Sequence, residues 1–173
     1  MERASRDLRV EPLGAGHDRA GFGCGVERLD RYLKTQASQD VRRKANAVFV
    51  LVEAHAPAIV LGYFTLCATG LAQSDVPEEA RKYIPRYPLV SATLLGRLAV
   101  ATSRQGEGLG GVLLASALRK ARDSAGTVGS SMVVVDALDE RAVEFYQAHG
   151  FTRLGLSERL VIAMRTVDQL LDD

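Results

Sequence analysis

Residues 94–122 constrain the fold more than any other segment of this chain of 173 residues. An apolar run is followed by four glycines between positions 106 and 111, and then by an amphipathic run. This order predicts a strand, a tight loop and a helix over residues 109–124. Amide groups at a helix start have no partner within the helix, and the helix dipole adds partial positive charge there. The segment therefore predicts a site for a phosphorylated ligand around residues 105–111.

The rest of the chain alternates between short apolar runs and amphipathic stretches. Strands are predicted over residues 7–13, 47–54, 59–68, 93–100, 131–137, 151–154 and 158–164, and helices over 27–42, 74–83, 109–124 and 139–149. The strands at 47–54 and 59–68 fit a hairpin, and the run at 131–137 is typical of a buried parallel strand. We therefore expect one α/β domain over residues 1–173 with a mixed sheet.

Composition and charge limit which kinds of protein this chain can be. The chain is 47% hydrophobic and 25% charged, with a net charge of +1, so any surface for nucleic acid must be local. Cys24 and Cys67 lie far apart without metal-ligand spacing, and no metal is expected. The first residues contain no apolar signal region, and no apolar run approaches the ~18 residues of a membrane span. We expect a cytoplasmic protein with no membrane partner.

The glycine loop fits more than one kind of phosphate site. Gly106, Gly108 and Gly111 have the spacing of a dinucleotide fingerprint, although the unit begins late in the chain and follows a hairpin. No Lys-Ser/Thr pair follows the last glycine, which excludes a P-loop. A helix start without a ligand is the third alternative, but so many glycines would be costly there. Gln105, Gly108 and Gly110 also fit the Gln-x-x-Gly-x-Gly pattern of an acyl-coenzyme A site.

A second motif supports the acyl-coenzyme A interpretation. The sequence Phe145-Tyr146-x-x-x-Gly150-Phe151 follows a buried strand, and with the glycine loop it makes the chain resemble the GNAT superfamily of acetyltransferases. The resemblance implies a mixed central sheet with splayed central strands, flanked by helices, and acetyl-coenzyme A as the cofactor. It implies cofactor binding by Leu98, Ala99, Val100, Gln105, Gly106, Gly108, Leu109, Gly110 and Gly111.

Acetyl transfer to an amine needs a proton for the departing thiolate and stabilisation of the oxyanion. A phenol is protonated at neutral pH, and the resemblance implies that Tyr146 is the catalytic acid, although its ring could instead only pack in the core. It also implies that the Val100 amide meets the oxyanion. No general base is evident: His149 is at a helix end, and the carboxylates of Glu53, Asp75, Glu78 and Glu107 are expected to be solvated. An acceptor α-amine, with a pKa near 7.8, suits an enzyme without a base.

The N-terminal half resembles a narrower group. Segments 22–33, 62–66, 84–88 and 95–100 are similar to the GNAT toxins of bacterial type II toxin–antitoxin systems. Those toxins acetylate the α-amino group of aminoacyl-tRNA and stop translation. The resemblance implies three partners: aminoacyl-tRNA, a small antitoxin of the ribbon-helix-helix type, and a second copy of the chain in a homodimer. The chain departs from these toxins at Ala101-Thr102, where they commonly have Asp-Arg, and this bears on the strength of the activity.

A tRNA substrate requires local positive charge for its phosphates. The residues expected to bind it are Arg31, Lys34, Arg42, Arg43, Lys44, Arg86 and Arg97. Each could instead be a solubilising charge, and Arg97, in a central strand, could contact coenzyme A, the tRNA end or a carboxylate. Two other functions stay open, namely acetylation of a small amine or a protein N-terminus, and binding of coenzyme A or a partner without catalysis.

Overall fold

The computed structural model describes residues 7–172. Its strands are β1 (Leu8–Pro12), β2 (Ala47–Glu53), β3 (Gly62–Ala72), β4 (Leu89–Val100), β5 (Met132–Asp136), β6 (Thr152–Arg153) and β7 (Arg159–Ala163). Its helices are α1 (Glu27–Arg31), α2 (Ala37–Arg42), α3 (Glu78–Arg81), α4 (Leu109–Ala125), α5 (Glu140–Ala148) and α6 (Met164–Asp172). A π-helical turn (Tyr32–Gln36) joins α1 to α2, and short 3₁₀ turns cover Gln73–Asp75 and Thr102–Arg104. The expectations for residues 1–6 lie outside the described residues.

The sheet is mixed, as predicted. Within residues 7–172 its strands follow the order β1-β2-β3-β4-β5-β7-β6. β1 and β2 are antiparallel, as are β5 and β7, whereas β4 and β5 are parallel with Ala92 opposite Met132. The ladder between β4 and β5 ends at Leu95, and β4 itself continues to Val100. The neighbouring β2 and β3 match the predicted hairpin, and the parallel pairing of β5 matches its continuous apolar run.

The chain divides into two compact units, each with its own apolar core. Residues 7–65 with Arg97–Ser116 form the first unit, and Leu66–Gly96 with residues 117–172 form the second. The first core includes Phe22, Tyr32, Leu33, Val50, Val52 and Tyr63. The second includes Leu71, Val76, Val90, Met132, Val134 and Val161. The expectation of a single domain over residues 1–173 stays a prediction.

The helix expected over residues 27–42 is correct in extent but not uniform. Its apolar residues recur every fourth position, which is longer than the 3.6 residues of an α-helical turn. The wider π-helical turn brings Leu33 and Ala37 onto the buried side, where both are fully covered. The wider turn thus accommodates the spacing, and the ring of Tyr32 at its start is buried.

Several boundaries differ from the predictions, and β4 begins at Leu89, four residues before the predicted start. β3 begins only at Gly62, and the exposed Ile59 forms an isolated bridge with Asp18 instead. α3 is shorter than the predicted helix because Pro77 caps its start. No element is predicted after residue 164, whereas α6 begins there and buries Met164 and Val167. Within residues 7–172, no helix has the length and apolar character that crossing a bilayer requires.

Candidate active site

The glycine loop leads from the end of β4 into the first turn of α4. Gly106 and Gly108 both have φ of +80°, a conformation that side chains rarely tolerate, and nothing lies within 4 Å of where their Cβ atoms would be. The Val112 amide donates to the Gly108 carbonyl at 3.4 Å, which begins the helical ladder. The amides of residues 109–111 come before that bond, and no backbone carbonyl of the described residues accepts a hydrogen bond from them. The loop therefore offers backbone donors in an open space, as the anion-site prediction requires.

Gln105 fixes the loop to its surroundings. Its side-chain nitrogen donates to the carbonyls of Val100 and Cys24, both at 3.0 Å. Thr102 adds a second link, because its amide and its hydroxyl donate to the Gly23 carbonyl at 2.9 and 3.2 Å. The Ala101 amide donates to the Leu61 carbonyl at 2.8 Å. The two residues that depart from the toxin pattern therefore hold the end of β4 in place.

An arginine clamp, formed by Arg104 with Glu53 and Glu107, also holds the loop. Arg104 Nε donates to Glu107 at 2.9 Å, and Arg104 also forms an ion pair with Glu53 on β2. The two carboxylates are 17% and 25% exposed, and their hydrogen bonds raise the pKa of Arg104. The expectation of a solvated surface carboxylate is therefore wrong for Glu53, which is partly buried and paired. Glu107 lies at an exposed position, as expected, although its carboxylate is paired with Arg104. The clamp offsets the negative charge that Glu107 brings beside the predicted anion site.

Tyr146 lies in the last turn of α5. Its side chain is 6% exposed and packs edge-on against Phe145 and Phe151, with ring centroids 5.2 and 5.4 Å apart. Gly150, with φ of +95°, ends the helix and turns the chain so that the Phe151 amide reaches the Tyr146 carbonyl at 3.1 Å. Burial raises the pKa of Tyr146 above its usual value. The phenol therefore keeps its proton through neutral and mildly alkaline pH.

Three other titratable residues, His149, Asp75 and Glu78, lie in the environments that the sequence predicts. His149 Nδ1 lies 2.7 Å from the Phe145 carbonyl oxygen, and its exposed ring rests on the Phe145 ring, as the helix-end interpretation predicts. Asp75 and Glu78 are exposed, as expected. Among residues 7–172 no group of three or more His, Cys, Asp or Glu side chains is arranged to hold a metal ion.

Arg97 is half-buried on β4, and its guanidinium carbon lies 3.6 Å from the centroid of the Tyr32 ring. Tyr32 Oη donates to Asp40 Oδ2 at 2.8 Å, and Asn46 Nδ2 donates to both groups. Gln36 Nε2 donates to the other Asp40 oxygen at 3.0 Å. Burial and the bond to Asp40 raise the pKa of Tyr32 to about 12, and the three donors hold the pKa of Asp40 below its usual value. The central-strand arginine is therefore stacked on an aromatic ring.

The remaining predicted tRNA contacts are surface cations. In the first unit, the exposed members are Arg31, Lys34, Arg42, Arg43 and Lys44, and Arg31 pairs with Glu27 one turn earlier. The run at 42–44 closes α2: the Lys44 amide bonds to the Val41 carbonyl and the Ala45 amide to the Asp40 carbonyl. Lys44 has φ of +60° at the position where glycine is usual. In the second unit, Arg86 is exposed before β4.

Sequence reasoning missed the arginine clamp and the network around Tyr32. Part of each is visible locally, because Arg104 and Glu107 are three residues apart and Gln36 and Asp40 four. The contact of Arg104 with Glu53 joins residues far apart in the chain, and no local pattern reveals it.

The chain matches known acetyltransferases in sequence. The acetyltransferase (GNAT) domain family matches residues 44–153. A probable toxin TacT of Sinorhizobium fredii is 26% identical over 171 residues, which cover 94% of each chain. A tRNA-acetylating toxin of Mycobacterium tuberculosis is 32% identical over 129 residues, which cover 75% of each chain.

Solved structures agree with these matches. A tyrosine-to-phenylalanine mutant of KacT superposes with a TM-score of 0.88 and 30% identity, over 95% of this chain and 99% of that one. AtaT complexed with acetyl-methionyl-tRNAfMet has a TM-score of 0.86 and 33% identity over the same shares. A tyrosine-to-phenylalanine mutant of AtaT, bound to the C-terminus of the antitoxin AtaR and acetyl-CoA, has a TM-score of 0.81 and 29% identity, over 96% and 99%.

Proposed function

This chain belongs to the GNAT acetyltransferase family, and we propose that it is a toxin that moves acetyl from acetyl-coenzyme A to the α-amino group of aminoacyl-tRNA, blocking translation. The observation that carries the proposal is the open first turn of α4 behind the glycine loop. It occurs in a chain that is 32% identical to a tRNA-acetylating toxin and 33% identical to a toxin solved with acetylated aminoacyl-tRNA.

The cofactor binds through backbone groups in this proposal. The amides of residues 109–111 hold its pyrophosphate, and the open space at Gly106 and Gly108 lets the phosphates approach the chain. The backbone of Leu98–Val100 pairs with the pantetheine arm, and the Val100 amide donates to the carbonyl oxygen as its negative charge develops. Gln105 and the arginine clamp keep the loop in its binding shape.

The reaction forms one bond and breaks one. The neutral α-amine attacks the thioester carbon, an N–C bond forms, the C–S bond breaks, and the Tyr146 hydroxyl gives its proton to the departing sulfur. The surplus proton of the amine leaves to solvent, and Tyr146 regains a proton from water. A buried phenol with a raised pKa suits this role because it is protonated whenever the amine is neutral.

The acceptor is recognised through charge. We infer that Arg31, Lys34, Arg42, Arg43, Lys44 and Arg86 contact tRNA phosphates, with Arg97 closer to the acceptor end. Related toxins are solved with antitoxin and with acetyl-coenzyme A. We extend this to a ribbon-helix-helix antitoxin and a homodimer for this chain, and to the cytoplasm, where charged tRNA occurs.

The test uses radiolabelled acetyl-coenzyme A, the purified protein and total charged tRNA, with deacylated tRNA as the control. We expect label on charged tRNA only. Label on a polyamine or a protein N-terminus instead, with coenzyme A binding intact, would contradict the toxin function and support an ordinary GNAT enzyme. Coenzyme A binding without any transfer would indicate a non-catalytic module.

A charge reversal tests the tRNA surface. Replacing Arg42, Arg43 and Lys44 by glutamate should lower tRNA acetylation at least tenfold and flatten its salt dependence, because released counterions drive the binding. Acetyl-coenzyme A affinity, measured by calorimetry, should not change. The matched control reverses Arg9, Arg119 and Arg141, which are exposed and outside the predicted set. Equal losses of tRNA acetylation and cofactor binding would indicate misfolding and contradict the assignment.

A further inference from the structure

We propose that Arg97, seated on the ring of Tyr32, binds a phosphate group at the acceptor end of the charged tRNA. This inference rests on the proposed function and adds to it the ligand of one particular cation. All the residues that carry it belong to the first unit.

The guanidinium of Arg97 is charged, held and open to a ligand. Within the described part of the chain its contact is the Tyr32 ring, at 3.6 Å, and no carboxylate or carbonyl accepts a hydrogen bond from it. When a guanidinium stacks on a ring, its flat face contacts the ring and its N–H groups point outward in the plane of the guanidinium. That edge matches two oxygens of a phosphate group. Arg97 is only half-buried, so a ligand can reach it.

The carboxylate that binds the Tyr32 hydroxyl already has other hydrogen-bond donors. Asp40 accepts from Tyr32 and Asn46 on one oxygen and from Gln36 on the other. It therefore fixes the phenol of Tyr32 without forming an ion pair with Arg97. Tyr32 is also the first residue of the π-helical turn, and such turns frequently occur at functional sites. The π-helical turn and the hydrogen bonds of Asp40 and Asn46 hold the Tyr32 ring in place under Arg97; this arrangement is called the seat of Arg97.

The position of the seat favours the acceptor end of tRNA. Arg97 precedes Val100 by three residues on β4, which places their Cα atoms about 10 Å apart along an extended strand. A nucleoside spans a distance of this order between an amino acid on its ribose and its own 5′-phosphate. The exposed run at 42–44, assigned to tRNA phosphates, lies between Asp40 and Asn46, the two residues that hold Tyr32. The seat and that run are thus parts of one local structure.

Coenzyme A also carries phosphate groups, so it is the other ligand that Arg97 could bind through a phosphate. Side chains alternate along a strand, so Arg97 shares a face of β4 with Ala99, which packs in the core around Tyr32. Leu98 and Val100 point to the other face. The amides of residues 109–111 already supply donors for the cofactor pyrophosphate. A second anion site on this strand therefore suits the second phosphorylated substrate.

The experiment compares two small acceptors, 3′-aminoacylamino-3′-deoxyadenosine with and without a 5′-phosphate, each carrying the amino acid labelled best in the tRNA assay. The wild type should prefer the phosphorylated compound on the order of 10- to 100-fold in kcat/KM, as a charged hydrogen-bond pair implies. Arg97→Gln should bring this ratio to about 1, and Arg97→Lys should leave it in between. The matched control is Arg9→Gln, an exposed arginine on β1, which should keep the ratio.

Tyr32 is tested as a positioning residue by the same ratio. Tyr32→Phe keeps the stacked ring and should keep most of the preference. Tyr32→Leu removes the ring and should lower the preference several-fold, and thermal unfolding shows whether the variant is folded. On charged tRNA, Arg97→Gln should also reduce the slope of log kcat/KM against log salt by about one, which keeps the test valid if neither small acceptor reacts.

Several outcomes would overturn the proposal. If the wild type acetylates both compounds equally, Arg97 does not bind the phosphate. The same conclusion follows if the Arg97→Gln variant keeps both the preference for the phosphorylated compound and the salt slope. A loss of acetyl-coenzyme A affinity in Arg97→Gln, with the preference kept, assigns the guanidinium to the cofactor. Failure of the proposed function looks different, because the wild type would then label neither charged tRNA nor either small acceptor, and both proposals would fall.

Discussion

Two helices of this chain, α4 and α5, each follow a strand, and their first turns are built in opposite ways. At α5, the Asp139 carboxylate accepts from the Ala142 amide at 2.8 Å and so caps the helix with the protein's own side chain. At α4, the residue before the first turn is Gly108, which has no side chain to offer and holds φ of +80°. The start of α5 thus has a side-chain acceptor for one of its amides, whereas the residue before α4 has no side chain, which suits the anion site that we propose.

The two helices also differ at the point where each would contribute to catalysis. α4 offers backbone groups at its start, whereas α5 offers the Tyr146 side chain in its last turn. A backbone site suits a ligand that is bound in every state, and a side-chain acid suits a proton that moves once per turnover. Changes to α4 should therefore affect cofactor affinity, and changes to the end of α5 should affect the rate.

The largest expected effect separates rate from binding. Tyr146→Phe should lower kcat by about 10²- to 10⁴-fold, because it removes the proton donor and leaves the packing of the ring intact. The Kd for acetyl-coenzyme A, from calorimetry, should stay within about twofold. Tyr87→Phe, at an exposed tyrosine, is the matched control. Unchanged turnover in Tyr146→Phe would remove this residue from the mechanism.

The next largest effect is expected on cofactor binding at the start of α4. Gly108→Asp places a negative charge and an unfavourable positive φ at the open first turn of α4, and should weaken acetyl-coenzyme A binding by at least tenfold. Gly129→Asp, in equally open space but away from a helix start, serves as the control. If both variants bind the cofactor equally well, the contrast between the two helix starts has no functional meaning.

The pH profile tests the burial of Tyr146. The rate kcat/KM should rise about tenfold per pH unit below the α-amine pKa of about 7.7–8.0, because the amine must lose its proton. The profile should then stay flat up to at least the usual tyrosine pKa of about 10, since burial moves the pKa of Tyr146 upward. A fall between pH 8 and 10 would indicate a different, more acidic proton donor.

The smallest effect concerns stability alone. Asp139→Ala removes the cap of α5 and should lower the free energy of unfolding by about 1 kcal/mol. Urea denaturation measures this change, and cofactor affinity should stay as in the wild type. Asp168→Ala, at an exposed position within α6, is expected to change stability by less than half as much. Equal effects would mean that the cap contributes nothing specific.

Much of the fold could be predicted because its signals are local. The bounds of β1, β2, α4, β5 and α5 lie within about two residues of the predictions, since each element is marked by an apolar run or a helical periodicity in its own residues. The end of α5 is typical: Gly150 directly follows the predicted helix and has the positive φ that is common just after a helix end. α6 was missed because its apolar face is short and follows β7 directly.

The candidate site divides in the same way. The sequence alone determined the open helix start and the placement of Tyr146 at the end of α5, because glycine conformation and helix spacing are set by neighbouring residues. The tertiary structure alone decided that Glu53 and Glu107 are paired with Arg104, and that Arg97 is stacked on Tyr32. Such contacts join residues far apart in the chain. They depend on strand register and on the π-helical turn, which only the folded chain establishes.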